Sequence, residues 1–154
     1  MRKFTMCSTV AMVALLGAIA VAQAPAMVMK VTTLADHAML MKSNAQANGA
    51  FGKALGSGAF ADAKTQAATL RMNFTTLRTF WTEKKNAEAL KVIGDAMTRL
   101  DALDKILAAP APDQMAAQAA QKEFGGNTCG ACHKMMREGD ATAGFTFRAG
   151  MNPF

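Results

Sequence analysis

The chain has 154 residues, with 17 Lys and Arg against 11 Asp and Glu, and 51% of its residues are apolar. This length is typical of one domain, and the apolar share is sufficient for a core, which excludes a disordered tail or a collagen-like fibre. There is no Tyr, one Trp and four Pro. Ala, Met, Leu, Lys and Gln are abundant, and because these residues favour helices over strands, the composition predicts an all-α fold.

The N-terminal segment, residues 1–22, has the layout of a secretory signal peptide. Two cations, Arg2 and Lys3, precede an apolar run that ends in small residues, and we expect cleavage after Ala22. Removal takes Cys7 away and lowers the formal net charge from +6 to +4. The alternative is an uncleaved anchor, which the short, alanine-rich run disfavours. Either way we expect an exported, periplasmic protein, and because Lys and Arg are scattered almost singly, we expect no nucleic-acid partner.

Helical periodicity divides residues 23–138, the expected domain, into stretches separated by breakers. The first runs from about Thr32 to Leu55 and ends at a Gly-Ser-Gly break. Its small and apolar face carries Leu34, Ala38, Met41, Ala45 and Gly52. The second is expected to open with Asp62 as its N-cap and to end within residues 83–86. Its core face carries Ala67, Leu70, Phe74, Leu77 and Trp81 at steps of three and four.

Two further helices and a tail complete the chain. The third helix has an apolar line interrupted by Asp104 and stops before Pro110. The fourth is expected to begin with Asp113 as its N-cap and to continue to about Arg137. Its Gly-Gly pair leaves open whether this helix is continuous or interrupted. Helices of roughly 20–25 residues with short connections favour an antiparallel four-helix bundle. For the C-terminal tail, residues 139–154, the sequence leaves two options: disorder, or packing of its phenylalanines on the helices.

A cluster near the C-terminal end carries the chemistry. Cys129, Gly130, Ala131, Cys132 and His133 form C-x-x-C-H, the attachment motif for covalent c-type haem. On a helix, positions i, i+3 and i+4 share one face. Two thiols can therefore form thioethers to a haem while the imidazole reaches iron from the same side. The motif predicts one haem c, held by Cys129 and Cys132, with His133 as the proximal axial ligand.

Three other uses of the cysteine pair are weighed against haem. A disulfide closes a very small loop and leaves the adjoining histidine without a role. A thioredoxin-like redox pair expects a preceding strand in an α/β pattern, which an all-α sequence lacks. A zinc site needs a fourth ligand, and beyond the cluster the mature chain offers His37 and carboxylates. Covalent haem attachment is therefore the favoured interpretation of the cysteine pair.

The position of the motif on the last helix resembles the class II cytochromes c, which comprise cytochrome c prime and its low-spin relatives. The resemblance is strong at residues 129–137, where Arg137 follows the haem histidine by one turn. It is moderate over residues 40–62 and weak over residues 81–90, where the family usually has a longer loop. It spans nearly the whole mature chain and implies a four-helix bundle with covalently bound haem.

The resemblance also implies roles for residues outside the motif. Met41 occupies the first-helix position at which low-spin members place a distal iron ligand, whereas spacing alone favours a core methionine. Two residues at about 100° each turn Met39 to another side of the helix, so it is not expected to substitute. His37 stands where the family usually has an arginine near a haem propionate, so it is a candidate propionate neighbour, at the haem edge or in solvent. Arg137 is a second candidate, which would contact a propionate or modulate the proximal imidazole. The alternatives are a second axial imidazole for His37 and a cation at a helix C-terminus for Arg137.

With both axial positions filled, the expected function is that of a one-electron carrier and not an enzyme. The alternative is a five-coordinate cytochrome c prime that binds nitric oxide or carbon monoxide, and a haem peroxidase is a third reading. Expected partners are periplasmic redox proteins, whose acidic patches the positive charge would favour. Peripheral membrane redox complexes and a homodimer through the first two helices are further options.

Overall fold

The computed structural model describes residues 30–140, 142 and 144–154. The expected signal peptide, residues 1–22, lies outside the described residues. The described chain is mostly helical, as the composition predicts. Its elements are α1 (Leu34–Gly56), α2 (Phe60–Glu83), α3 (Ala87–Ala108), α4 (Gln114–Phe124), a π-helical segment (Gly125–Gly130), α5 (Ala131–Met136), β1 (Arg137–Asp140) and β2 (Gly144–Phe147).

The helix starts follow local capping chemistry. Thr33 caps α1, and its hydroxyl and the Asp36 carboxylate exchange hydrogen bonds with each other's backbone N–H groups. Asn86 caps α3 and Asp113 caps α4, each by accepting from a backbone N–H three residues later. The expected N-cap of α2, Asp62, is wrong, because α2 begins at Phe60 after the non-helical Ala59. Asp62 instead lies in the first turn, where its charge favours the helix dipole.

The four long helices pack against one another in four pairs. α1 packs on α2, α2 on α3, α3 on α4, and α4 returns to α1. The core is built from the apolar faces of these helices and includes all five residues expected on α2, namely Ala67, Leu70, Phe74, Leu77 and Trp81. Asp104, which interrupts the apolar line of α3, is explained by Arg71 of α2, whose guanidinium pairs with Asp104 at 2.6 Å and with Asp101 at 2.8 Å.

The buried face of α1 differs from the expected one. Its core side chains are Leu40, Asn44, Ala47, Phe51, Ala54 and Leu55. The small and apolar line expected there is displaced around the helix, and Leu34 on it is 54% exposed. Most of that line faces a cavity, described below, and this explains why apolar side chains lie outside the packed core.

The C-terminal end of the chain is a hairpin and not a continued helix. α5 stops at Met136, and Arg137, expected at the end of the fourth helix, begins β1 instead. β1 and β2 pair antiparallel, with Arg137 opposite Phe147 and Gly139 opposite Phe145. The expected boundary between residues 138 and 139 therefore falls within β1. Of the two options for the tail, packing is the one observed, since Phe147 lies against the core.

Candidate functional site

One cavity of about 670 Å³ lies between α1, α2 and the segment that carries the cysteine cluster. Its wall on α1 combines small and apolar side chains with the polar His37, Asn44 and Asn48, and α2 contributes large apolar side chains. The hairpin and Asn152 form another part of its rim. This volume is within the usual range for small-molecule and cofactor sites, and the mostly apolar wall is typical of them. The lining includes His37, Met41, Phe74, Leu77, Trp81, Ile93, Cys129, Cys132, His133, Arg137 and Phe147.

The cysteine cluster is placed by a helix that changes its hydrogen-bonding period. The π-helical segment, Gly125–Gly130, contains Cys129, and α5 contains Cys132 and His133. Short π-helical segments occur often at functional sites. Here the segment is anchored at its start, because the hydroxyl of the fully buried Thr128 donates to the carbonyl of Phe124. The Gly-Gly pair therefore marks a local change of helix type and not a break.

The Phe124 ring fixes this segment against the core. It is fully buried, and it packs edge-on against Phe74 with 5.6 Å between ring centroids. An offset or edge-on aromatic pair contributes about 0.5–1.5 kcal/mol beyond its buried area. Because Phe74 also lines the cavity, the same contact defines both the position of the cysteine segment and the cavity wall.

Both thiols are half-buried in the cavity wall, and neither is in a disulfide. Burial raises the pKa of Cys129, although hydrogen bonding at Thr128 partly opposes this rise. Burial, followed by the neighbouring Cys129, raises the pKa of Cys132 to about 11. Reactive redox cysteines have a lowered pKa, because the thiolate is the nucleophile. Burial shifts the pKa of both thiols in this site in the opposite direction.

The pKa of each of the two imidazoles is lowered, which favours the neutral form. Burial lowers the pKa of His133, and the positive Arg137 lowers it further. Burial likewise lowers the pKa of His37, with a smaller effect of His133. A neutral imidazole has a free nitrogen lone pair, which is the form that binds metals. His133 and His37 therefore need no deprotonation to act as ligands.

The α1 wall of the cavity carries Met41. Met39 lies on another side of α1 and is 52% exposed, as the helical spacing predicts. Met41 is half-buried, packs against the core and lines the cavity. One turn later the buried Asn44 also lines it, and its Oδ1 has no hydrogen-bond partner among the described residues. The thioether and an unsatisfied polar atom thus lie on the α1 wall of the cavity that the cysteine cluster also lines.

His37 is surrounded by aromatic rings. Its ring centroid lies 5.4 Å from that of Phe147, 6.0 Å from Phe80, 6.1 Å from Phe154 and 6.4 Å from Trp81. The rings come from α2 and from the C-terminal segment, so His37 joins the two at the cavity edge. This packing explains the burial that lowers its pKa.

Arg137 lies at the cavity rim, where β1 begins. Its guanidinium carbon is 3.9 Å from the centroid of the Phe145 ring, a cation–π contact. Arg137 and Phe145 both line the cavity. The stacking links β1 to β2 within the hairpin, and the Arg137 charge is close enough to lower the pKa of His133.

All six residues singled out from the sequence line this one cavity: His37, Met41, Cys129, Cys132, His133 and Arg137. The sequence did not identify Thr128, Asn44, Thr146 or Asn152 as parts of the site. The position of Thr128 directly before the motif is the one signal that pointed to it. No sequence signal indicated Thr146 or Asn152, because their contribution depends on the C-terminal segment folding back onto the helices.

Comparison with protein-family models, with curated proteins and with solved structures finds no match for this chain. Within the described residues, no three or more His, Cys, Asp and Glu side chains are grouped to hold a metal ion. In the same part of the chain, no helix combines the length and apolar character needed to cross a membrane.

Proposed function

We propose that this protein is an exported mono-haem c-type cytochrome of the class II kind, which carries one electron between periplasmic redox proteins. One haem c would be bound through Cys129 and Cys132. His133 and Met41 would be its axial iron ligands, and Arg137 and His37 would neighbour its propionates. With both axial positions occupied, the protein would act as a carrier and not as an enzyme.

The observation that carries this proposal is the convergence of the donor set on one cavity. The two thiols and His133 lie on its one side, and Met41 lies on its α1 side. The mostly apolar wall suits a flat macrocycle, and thiol, imidazole and thioether are donors found in c-type haem sites. The lowered pKa of His133 favours the neutral imidazole, which is the form that ligates iron. The residues present therefore fit the group that the motif implies.

The helix contacts support an antiparallel four-helix bundle. The sequence of contacts from α1 through α4 and back to α1 closes a ring. The connections between these helices have only a few residues, which favours antiparallel neighbours. In this arrangement the cysteine cluster follows α4 and faces the N-terminal half of α1, where His37 and Met41 lie.

The chemistry that a bound haem supplies is reversible one-electron transfer at iron. The chain would supply the rest. Cys129 and Cys132 hold the group covalently, which prevents its loss outside the cytoplasm. A thioether ligand from Met41 raises the potential relative to a second imidazole. The buried Phe74 and Trp81 would give the haem an apolar contact surface, and Arg137 would compensate negative charge at the cavity rim.

The first experiment asks whether haem is attached at the motif. The protein is expressed with its own N-terminal segment in a host that matures c-type cytochromes, and its mass and absorption spectrum are measured. We expect one haem that stays bound after denaturation in acid and acetone. Replacing both Cys129 and Cys132 by Ala should abolish it. Cys7→Ala is the matched control and should retain it; an unmodified wild-type mass would overturn the proposal.

The second experiment tests the distal ligand. Met41→Ala should convert a low-spin ferric spectrum to a high-spin one, because it removes the thioether that would fill the sixth position of the iron. Met39→Ala removes a methionine two residues away that is half exposed, and it should leave the spectrum unchanged. A low-spin Met41→Ala protein would assign the ligand to another residue.

The alternative function, binding of nitric oxide or carbon monoxide to a five-coordinate haem, uses the same cavity. One observation favours it: Ala38 and Ala45 flank Met41 on the α1 wall and also line the cavity. Their small side chains leave room beside the thioether. A high-spin wild-type spectrum together with rapid carbon monoxide binding would select this function over the electron carrier.

A further inference from the structure

Glutamine side chains of α4 reach across to α1. Gln114, Gln118 and Gln121 follow one another at steps of four and three, so they lie on the same side of α4. The first two donate to carbonyls in the last turn of α1, at distances between 2.6 and 3.3 Å. Gln121 differs, because its Nε2 donates to the side-chain Oδ1 of Asn48 at 2.8 Å. Of the three, it alone bonds to a residue that lines the cavity.

The Asn48 carboxamide also lies against the start of the cysteine segment. A Cβ atom added at Gly125, the first residue of the π-helical segment, would be 3.5 Å from the Nδ2 of Asn48. On α1 itself, Gly52 leaves room for the amide of Gln121, since a Cβ atom there would be 3.6 Å from its Oε1. Asn48 therefore connects α1 both to α4 and to the segment that carries Cys129.

This contact bears on the site because Asn48 and Met41 share one face of α1. Seven residues are close to two helical turns, so the two side chains point the same way and are ~10 Å apart along the helix axis. Both line the cavity. A bond that fixes Asn48 to Gln121 therefore fixes the rotation of the α1 wall and its distance from the segment that carries His133.

The axial donors assigned above depend on this spacing. Met41 is on α1 and His133 is on α5, so the distance between them is set by how these elements pack. A binding site functions only when its donors keep their geometry to within about 0.5 Å. A thioether is a weak acceptor, and a change in spacing would therefore release Met41 before it releases the imidazole.

We infer that the hydrogen bond between Gln121 and Asn48 is a positioning contact of the haem site, which holds the α1 wall at the spacing that lets Met41 bind the iron. The inference rests on the proposed function, because it names the residues that keep the distal ligand in place. Gln121 and Asn48 are positioning residues, since both act through Met41. Both side chains are uncharged, so the effect of the contact does not depend on pH or salt.

The test measures how easily Met41 is displaced in the haem-loaded protein. Imidazole is titrated into the ferric protein and its binding is followed by the absorption spectrum. The iron–sulfur bond breaks, an iron–nitrogen bond forms, and no electron is transferred. Gln121→Leu removes the donor, and the loss of one neutral hydrogen bond should raise the apparent affinity for imidazole about fivefold. Asn48→Ala removes the acceptor and should have the same effect.

The control is Gln114→Leu, which is the same substitution on the same helix. Gln114 also donates to α1, but at Leu55 and Gly56, and Leu55 lies ~21 Å beyond Met41 along the helix axis. Its loss should weaken the contact between the helices and leave the affinity for imidazole within about twofold of wild type. Equal shifts in Gln114→Leu and Gln121→Leu would reveal a general loss of stability and would overturn the positioning role.

A double-mutant cycle tests whether Gln121 and Asn48 act through one contact. The protein with both Asn48→Ala and Gln121→Leu should bind imidazole no more tightly than either single variant, because each substitution already removes the same bond. A double variant whose change in affinity is the product of the two single changes would refute the shared contact.

A second readout does not need haem. The full chain with Cys7→Ala is produced without haem attachment, and the rate at which iodoacetamide labels its thiols is measured. Cys129 and Cys132 are half-buried in the cavity wall. Loosening the cysteine segment in Gln121→Leu should therefore speed labelling about fivefold, whereas Gln114→Leu should stay within about twofold. Equal labelling rates in these two variants would refute the positioning role. A wild-type protein that attaches no haem would instead refute the proposed function, and the labelling would still decide on the contact.

Discussion

Phe124 offers a direct test of how the cysteine segment is fixed to the core. Its ring is fully buried, contacts Phe74 edge-on, and immediately precedes the π-helical segment. Replacing a buried Phe by Ala costs about 3–5 kcal/mol, because the transfer free energy is lost and a cavity is left. Phe124→Leu keeps most of the volume and loses mainly the aromatic pair, so we expect about 1–1.5 kcal/mol.

The assay is urea unfolding of the exported protein followed by circular dichroism. A lower midpoint with an unchanged slope reports lost stability in the folded state. Phe145→Ala is the control, because that ring is 50% exposed and its loss should cost less than about 1 kcal/mol, mostly the cation–π contact.

The comparison between the two phenylalanines decides the outcome. If Phe124→Ala costs no more than Phe145→Ala, then Phe124 does not anchor the cysteine segment, and the reasoning from its burial is refuted. If Phe124→Leu costs as much as Phe124→Ala, the aromatic pair and not the filled volume accounts for the stability.

Three other expectations concern elements that surround the site. The side chain of Asp36 accepts hydrogen bonds from residues at the start of α1, first of all from the Thr32 N–H, which lowers its pKa to about 2 from 3.8; its contribution to stability is therefore present above about pH 4 and is lost as the pH falls towards 2. A carboxyl ¹³C titration with a midpoint near 3.8 would contradict this. The Gln114 amide caps the end of α1 by donating to two of its last carbonyls, at 2.6 and 3.0 Å, so Gln114→Ala should lower the free energy of unfolding by about 1 kcal/mol. The control is Gln46→Ala, at an exposed position, which should change the free energy of unfolding by less than about 0.5 kcal/mol. Equal effects of the two substitutions would count against the capping role of Gln114. Arg71→Ala should cost about 0.5–1 kcal/mol, screened by salt, and a double-mutant cycle with Asp104→Ala that shows no coupling would refute the ion pair.

Local chemistry made the helices predictable, with instructive exceptions. The steps of three and four on α2 identified its buried face because each of those side chains must leave water. Asp62 was wrong as a cap because starting the helix at Phe60 places that ring against the core, and this tertiary gain outweighs the cap preference of Asp. The buried face of α1 was displaced because the cavity, and not another helix, lies against its apolar line.

Some residues of the candidate site could be predicted from the sequence, and others were brought to it only by the tertiary structure. Cys129, Cys132 and His133 are read from sequence because the motif is local, and its chemistry depends on spacing along one short segment. His37 and Met41 lie one turn apart on α1, but they are far from Arg137 and from the cysteine cluster in the chain. That they line the same cavity follows from how α1, α2 and the hairpin pack, which no short window of sequence contains.

By itself, the sequence determined the mostly helical character of the chain, the approximate extent of the long helices, and the cysteine cluster with its adjacent histidine. These depend on interactions within a few residues. The tertiary structure decided that the C-terminal tail folds back as a hairpin, that aromatic rings from α2 and that tail surround His37, and that Phe124 packs against Phe74 where the cysteine segment begins. These features depend on contacts between distant parts of the chain, whose free energies are realised only when the whole core has formed.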